Sequence, residues 1–490
     1  MRKKYCAILA VILLFVSIGY SQVKRPEELQ YTPLKFDPPD PKAFRTALSQ
    51  GMTAYIQEDH SLPIVEMRAI IHFGNLYVSK DKAGLGGVMG GTLIKGGTKT
   101  REGSAIEERI EFLGGSLSFG VGERTASLSL FVLSKDLDEG LSLFFDVLMN
   151  PEFREESLNI TKGRMIEDLK QANDSPGLVL AREFDSILYG DHPLTNRPTK
   201  KTIESVSGED LKAIHAQYFF PQNIMIAAAG DFDKNALKAK IDKAISQWKN
   251  KSISIPGFVK KFSDVEPGVY FAQKKINQGY VSIGHLGIED TNPDYFAVQL
   301  MNFILGGGSF TSRITTKVRS DEGLAYNTGS RFQYRWGFPG IFAGYVQTKS
   351  ATVGYAISLI LKEFERIRTE PVTDEEMETA VNYYIESFSS NFTSPIATMS
   401  SFISLEMEKK PMDYYKTYRD KVRTITKEKV MEVAQKYIKP EKMAIVVVGD
   451  WEPCNKGSDK FLGPLEKLGK VHMLTLKDPL TGEELKEETK

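Results

Sequence analysis

The stretch Tyr218-Phe219-Phe220-Pro221-Gln222-Asn223-Ile224-Met225-Ile226-Ala227-Ala228-Ala229-Gly230-Asp231-Phe232 returns as Tyr437-Ile438-Lys439-Pro440-Glu441-Lys442-Met443-Ala444-Ile445-Val446-Val447-Val448-Gly449-Asp450-Trp451. Tyrosine, proline, glycine and aspartate all match at one constant offset, the one that carries Tyr218 onto Tyr437. The same offset aligns Ile203-Glu204-Ser205-Val206-Ser207 with Val422-Arg423-Thr424-Ile425-Thr426. Ser207 and Thr426 each precede a helical pattern, and a hydroxyl there predicts an N-cap. Each unit reads as helix, turn at proline, buried strand and Gly-Asp turn. A repeat this long means duplicated domains rather than a short solenoid repeat.

The duplication divides the chain into an N-terminal domain at 38–252 and a C-terminal domain at 262–455. A linker at 253–261 joins them, in a stretch rich in small residues and proline (Lys251 to Gly257). In the first half Met52–Ile56 and Ile64–Ile71 suit a hairpin, and helical periodicity follows near 102–113, 135–149, 154–173 and 234–248. In the second, Val281–His285 is strand-like, while Tyr295–Leu305 and 351–368 are helical. This predicts an α+β fold of two homologous halves, each with antiparallel sheets covered by helices. Residues 456–490 are charged and weakly patterned, and read as a C-terminal extension.

The composition is that of a globular chain: 490 residues, 41% hydrophobic, with 63 basic and 63 acidic residues. A zero net charge speaks against nucleic-acid binding, which usually shows a basic excess. Met1-Arg2-Lys3-Lys4, an apolar run from Tyr5 to Ile18 and small residues near Ser21 have the parts of a secretory signal. The run is short for a membrane span, though an uncleaved anchor is the alternative reading. Residues 1–21 are therefore expected to direct export, most simply to a bacterial periplasm. Cys454 is the one cysteine beyond that leader, so stability must come from the cores rather than from an internal disulfide.

The segment Gly84-Leu85-Gly86-Gly87-Val88-Met89-Gly90-Gly91-Thr92-Leu93-Ile94-Lys95 carries a helical apolar stripe of Leu85, Val88, Met89 and Leu93. Gly87, Gly90 and Gly91 share a second stripe, and each glycine costs a helix on the order of 1 kcal/mol relative to alanine. Close backbone packing or the loss of a former site would account for them. The Gly306-Gly307-Gly308-Ser309 run lacks a P-loop's lysine and spacing and reads as a helix-ending turn. His285 and His72 read as structural and packing residues.

The order of these pieces resembles the pitrilysin/insulinase family of zinc peptidases, in its bacterial processing-peptidase-like branch. The first half carries Leu48-Ser49-Gln50-Gly51-Met52, Leu62-Pro63-Ile64-Val65, His72-Phe73-Gly74-Asn75 and Lys82-Ala83-Gly84-Leu85. The second carries Gly284-His285-Leu286-Gly287, Leu305-Gly306-Gly307-Gly308-Ser309, Ser312-Arg313 and, most specific, Arg319-Ser320-Asp321-Glu322-Gly323-Leu324-Ala325-Tyr326. The resemblance implies a clamshell around a peptide chamber. Active members place H-x-x-E-H on the helix after Gly-Leu, where two histidines bind zinc and the glutamate activates water. The matching positions here are Gly87, Gly90 and Gly91, and Asp168 stands where a further glutamate ligand is usual. None of the six histidines forms an H-x-x-x-H pair. The resemblance thus implies no metal in this chain and no hydrolysis by it alone.

Arg319 and Tyr326 match the arginine and tyrosine that in active members hold substrate carbonyls and the oxyanion. Emptied ligands in one half and a retained Arg/Tyr pair in the other imply a non-catalytic subunit of a heteromeric zinc metalloendopeptidase. Zinc would sit in an H-x-x-E-H partner, with a peptide as substrate. The alternative is a non-enzymatic peptide-binding or scaffold protein of the same fold. A homodimer stays open under either reading.

Overall fold

The two repeated strands lie inside two six-stranded sheets. The computed structural model describes residues 36–251, 262, 265–462 and 464–485; the expected leader at 1–21 and linker at 253–261 lie outside them. The first sheet contains β1 (Arg45–Ala47), β2 (Thr53–Glu58), β3 (Ile64–Ile71), β4 (Ser116–Val121), β5 (Ala126–Leu133) and β6 (Ile224–Gly230), in the order β1-β2-β6-β3-β5-β4. The second contains β7 (Gly268–Gln273), β8 (Gln278–Leu286), β9 (Ala325–Phe332), β10 (Ile341–Lys349) and β11 (Ala444–Gly449). A short ladder of β12 (Gly457–Ser458) and β13 (Phe461–Leu462) then leads to β14 (Val471–Leu474), and the second sheet runs β14-β7-β11-β8-β10-β9.

The two topologies correspond. β2 runs parallel to β6 as β7 does to β11. The remaining neighbours, β6·β3, β3·β5 and β5·β4, then β11·β8, β8·β10 and β10·β9, are all antiparallel. The expected β2–β3 hairpin does not form, because β6 inserts between the two strands and pairs with both. β6 and β11 are apolar throughout and nearly every residue in them is buried, so each belongs inside a sheet rather than at an edge. A local alternation in β2 and β3 cannot reveal a partner strand supplied from the far end of the half. The extension past residue 456 contributes β14, which pairs in parallel with β7.

The expected helices form at Gly103–Phe112, Leu137–Met149, Glu155–Lys170 and Lys234–Ile245, and in the second half at Tyr295–Asn302 and Val353–Thr369. Ser207 and Thr426 cap their helices, accepting the amide hydrogens of Asp210 and Lys429. Four helices concern the site and the joining of the halves: α1 (Leu85–Thr92), α2 (Glu155–Lys170), α3 (Pro176–Tyr189) and α4 (Pro395–Met407).

α3 and α4 are exchanged between the halves. α3 belongs to the first half by sequence but packs on β8 and β11, burying Val179 against Ala272 and Val448, and Phe184 and Leu188 against Ala343, Ala444 and Val446. α4 belongs to the second half but covers β2, β3 and β6, burying Ile396, Met399, Phe402 and Ile403 against Tyr55, Ala227 and Ala229. Alanines on both sheets allow the helices to approach closely. Ser175-Pro176 and Ser394-Pro395 obey the same offset as the repeated strands, and each serine accepts an amide hydrogen of the first helical turn, from Leu178 and Ala397. One ion pair fastens the exchange: Glu406 of α4 takes two bonds from Arg45 (2.9 and 2.7 Å) and one from the buried Tyr55 hydroxyl (2.6 Å).

Candidate functional site

Two places carry the expected chemistry, one in each half. The first is α1. Its entry residue Gly84 has φ of 101°, a left-handed conformation that favours glycine. Leu85, Val88 and Met89 face the core, as their helical spacing predicts. The helix lies on β4 at the sheet edge and on α2. The Asn75 amide donates to the Val121 and Gly122 carbonyls (3.4 and 3.2 Å), tying the end of β4 to the loop before α1.

The glycine stripe is occupied by α2. A Cβ at Gly87 would lie 2.8 Å from Met165 Cε, and one at Gly91 would lie 2.5 Å from Thr161 Cγ2. The Thr161 hydroxyl also donates to the Gly91 carbonyl at 3.3 Å. Gly90 alone of the three faces open space, with nothing within 4 Å of its Cβ position. Side chains one helical turn apart on α2 thus pack against the two positions where histidines would stand. Asp168 is exposed further along the same helix. Among the described residues no group of three His, Cys, Asp or Glu side chains converges to hold a metal. The residues do not fit a zinc ion, since glycine at all three motif positions leaves neither ligand nor base on this helix.

The second place is the entry to β9. A π-helical turn, Thr316–Asp321, carries Arg319, a distortion that is frequent at functional sites. The turn ends at Gly323, whose φ of 62° turns the chain back, with the Gly323 amide donating to the Arg319 carbonyl (3.1 Å). β9 then buries Ala325 and projects Tyr326 outward, 84% exposed. The Arg319 guanidinium lies 4.5 Å from the Tyr326 ring centroid and 4.3 Å from that of Phe310. Phe310, 62% exposed, follows Ser309, which itself has a positive φ of 53°. Sequence reasoning missed Phe310; the available signal was a large aromatic within the otherwise small and polar loop Gly306–Ser312. The glycine run before it forms a helix end, as expected, and Gly306 also packs against the backbone of β9 at Gly329 and Ser330.

Behind the π-turn, Arg313 is buried and forms a two-bond pair with Glu376 (2.6 and 2.7 Å). Burial pushes the Glu376 carboxyl up, but the Arg313 bonds and the Thr373 amide outweigh it and hold the group below the usual range. His285 has both ring nitrogens engaged, one with the Leu286 carbonyl (2.8 Å) and one with the Lys439 amide (3.1 Å). His72 bonds the Tyr77 hydroxyl (2.8 Å) and stacks on Trp336 of the other half. His285 therefore has neither ring nitrogen left over, and His72 has its Nε2 engaged.

Residues 53–202 match the family described as Insulinase (Peptidase family M16), and residues 205–384 match the Peptidase M16 inactive domain. The chain belongs to peptidase family M16. An M16 relative in Helicobacter pylori, named a non-peptidase homolog YmxG, is 23% identical over 411 residues, covering 82% of this chain and 92% of that protein. An uncharacterized zinc protease of Streptomyces coelicolor is 24% identical over 299 residues, 59% of this chain and 64% of that protein. Among solved structures, an M16 inactive domain from Pseudomonas fluorescens superposes with a TM-score of 0.75 at 24% identity, over 83% of this chain and 97% of that one. A Helicobacter pylori protease superposes with a TM-score of 0.75 at 16% identity, over 84% and 100%. The fold is that of M16, in two sheet-centred halves consistent with the clamshell. With glycine at all three motif positions of α1, this chain is an M16 homologue without the zinc ligands and base of that motif.

Proposed function

We propose that this M16 homologue is the non-catalytic subunit of a heteromeric zinc peptidase. A partner with an intact H-x-x-E-H helix supplies zinc and the general base. This chain supplies Arg319, Tyr326 and half of the peptide chamber. The observation that carries the reading is the contrast between the two sites. The α1 stripe has no ligand side chain and packs on Met165 and Thr161, whereas Arg319 and Tyr326 remain together at a sheet edge with the tyrosine 84% exposed.

The geometry suits work on a peptide bond. β9 and β4 are edge strands, so an extended peptide can add to either by main-chain hydrogen bonds, with little dependence on sequence. Rings beside the Arg319 guanidinium limit its freedom before substrate arrives. A donor fixed in advance loses little on meeting the charge that develops on a carbonyl oxygen. Removing one such donor commonly costs about 100-fold or more in turnover.

Co-expression with an H-x-x-E-H homologue tests the pairing. The two chains should co-purify, the complex should hold zinc in the partner, and peptide cleavage should need both. A partner that cleaves equally well alone, or that never co-purifies, would favour the non-enzymatic peptide-binding reading instead.

A further inference from the structure

We propose that Phe310, Arg319 and Tyr326 form a recognition site for a carboxylate carried on a peptide. The inference rests on reading Arg319 and Tyr326 as substrate-binding groups, and it adds Phe310 and the chemical class of what the site holds.

Three observations lead there. The Arg319 guanidinium carbon stands 4.3 Å from the Phe310 ring centroid and 4.5 Å from the Tyr326 ring centroid, over the face of each ring. A cation–ring contact acts through the charge and leaves the N–H donors free to bond a ligand. Among the described residues those donors have no hydrogen-bond or ion-pair partner, while the neighbouring charges satisfy one another: Lys317 with Asp321 and Glu322, and Lys460 with Glu322. Arg319 is therefore the unneutralised charge of its turn. The flanking rings are 62% and 84% exposed, held out by the positive-φ residues Ser309 and Gly323.

An unpaired guanidinium beside two exposed rings suits a planar acceptor that can meet several of its N–H donors at once. A peptide carbonyl offers one oxygen. A carboxylate offers two and a full charge, and charge-assisted bidentate bonds are roughly twice as strong as neutral ones. The exposed rings give the adjoining peptide an apolar surface. The carboxylate can come from a chain terminus or from an Asp or Glu side chain.

Calorimetry on the single full chain separates these sources. Three decapeptides with capped N-termini and a common neutral sequence serve as probes: one amidated, one with a free C-terminal carboxylate, and one amidated with a central Glu. At low salt at least one acidic peptide should bind about five-fold or more tighter than the neutral one. The preference should vanish in Arg319→Gln, shrink in Phe310→Ala and weaken at high salt. Whichever acidic peptide binds tighter identifies the source. Equal binding of all three, no binding of any, or a preference that survives Arg319→Gln would overturn the proposal; the melting temperature of each variant verifies its fold. No partner is present in this experiment. A carboxylate preference in a chain that never joins a peptidase would uphold this site and remove the subunit reading.

Discussion

Met165 packs against Gly87: its Cε lies 2.8 Å from where a Cβ on Gly87 would stand. The glycine helix is therefore a packed helix contact along most of its stripe, with one opening at Gly90. This separates the three glycines energetically.

Alanine at Gly90 meets no neighbour and removes a helix-interior glycine, so Gly90→Ala should raise stability by up to about 1 kcal/mol. Alanine at Gly91 would press on Thr161, and overpacking of this kind costs about 1–3 kcal/mol, more than the propensity gain returns. Scanning calorimetry should show melting temperatures moving in opposite directions. Thr161→Ala should relieve the Gly91→Ala penalty, a coupling that a double-mutant cycle reads directly. Shifts of equal sign would refute the packing described for this stripe.

Writing the motif back should not restore the metal. In the triple variant Gly87→His, Gly90→Glu, Gly91→His, the two histidines press on Met165 and Thr161 while the glutamate enters open space. Elemental analysis of the purified triple variant should find well under one zinc per chain. Tight stoichiometric zinc in that variant would show that α2 yields more easily than its packing implies.

Much of this was readable beforehand. The offset that relates Tyr218 to Tyr437 located both buried strands, and the periodicities located the helices that flank them. Two things were not readable. Ser175-Pro176 and Ser394-Pro395 obey the same offset, but nothing local in α3 or α4 says that each helix packs on the other half's sheet; that choice is made by alanines on distant strands. Likewise the glycines of α1 could be recognised as lost ligand positions, but the packing at Gly87 and Gly91 could not, because Met165 and Thr161 enter from a helix well beyond α1 in the chain. The supposed β2–β3 hairpin failed for the same reason, since β6 is supplied from far along the sequence.

The exchanged helices should make the halves interdependent. Glu406→Ala leaves the wholly buried Tyr55 without its 2.6 Å acceptor and Arg45 without its carboxylate. The expected loss is about 1–3 kcal/mol, with Glu406→Gln costing less. Arg45's hydrogen bond holds the Glu406 carboxyl below its usual range, against burial and with help from Tyr55. A depressed acid stabilises above its unfolded pKa and loses that contribution as pH falls through the folded value. The gap between wild type and Glu406→Gln should accordingly narrow below about pH 4.5. A gap that is constant from acid to neutral pH would argue against the ion pair.

Burial lowers His72 to about 4, with Arg124 adding to the effect. Burial also lowers His215 to about 4, against its bond to the Leu148 carbonyl. Both are neutral when folded and take up a proton on unfolding below their unfolded value of about 6.5. The unfolded state then binds more protons, so stability should rise with pH between about 4 and 6.5, on the order of 1–3 kcal/mol for each histidine. Melting temperatures across that range, compared with those of His215→Gln, would check the slope.

The turnover of the reconstituted complex tests the account most directly. Arg319→Ala and Tyr326→Phe are each assembled with the H-x-x-E-H partner, and peptide cleavage is measured at matched zinc content. Each substitution should lower turnover at least ten-fold, about 1.4 kcal/mol of transition-state stabilisation or more, while the complex still forms. Unchanged turnover in both variants would contradict the role given to this chain.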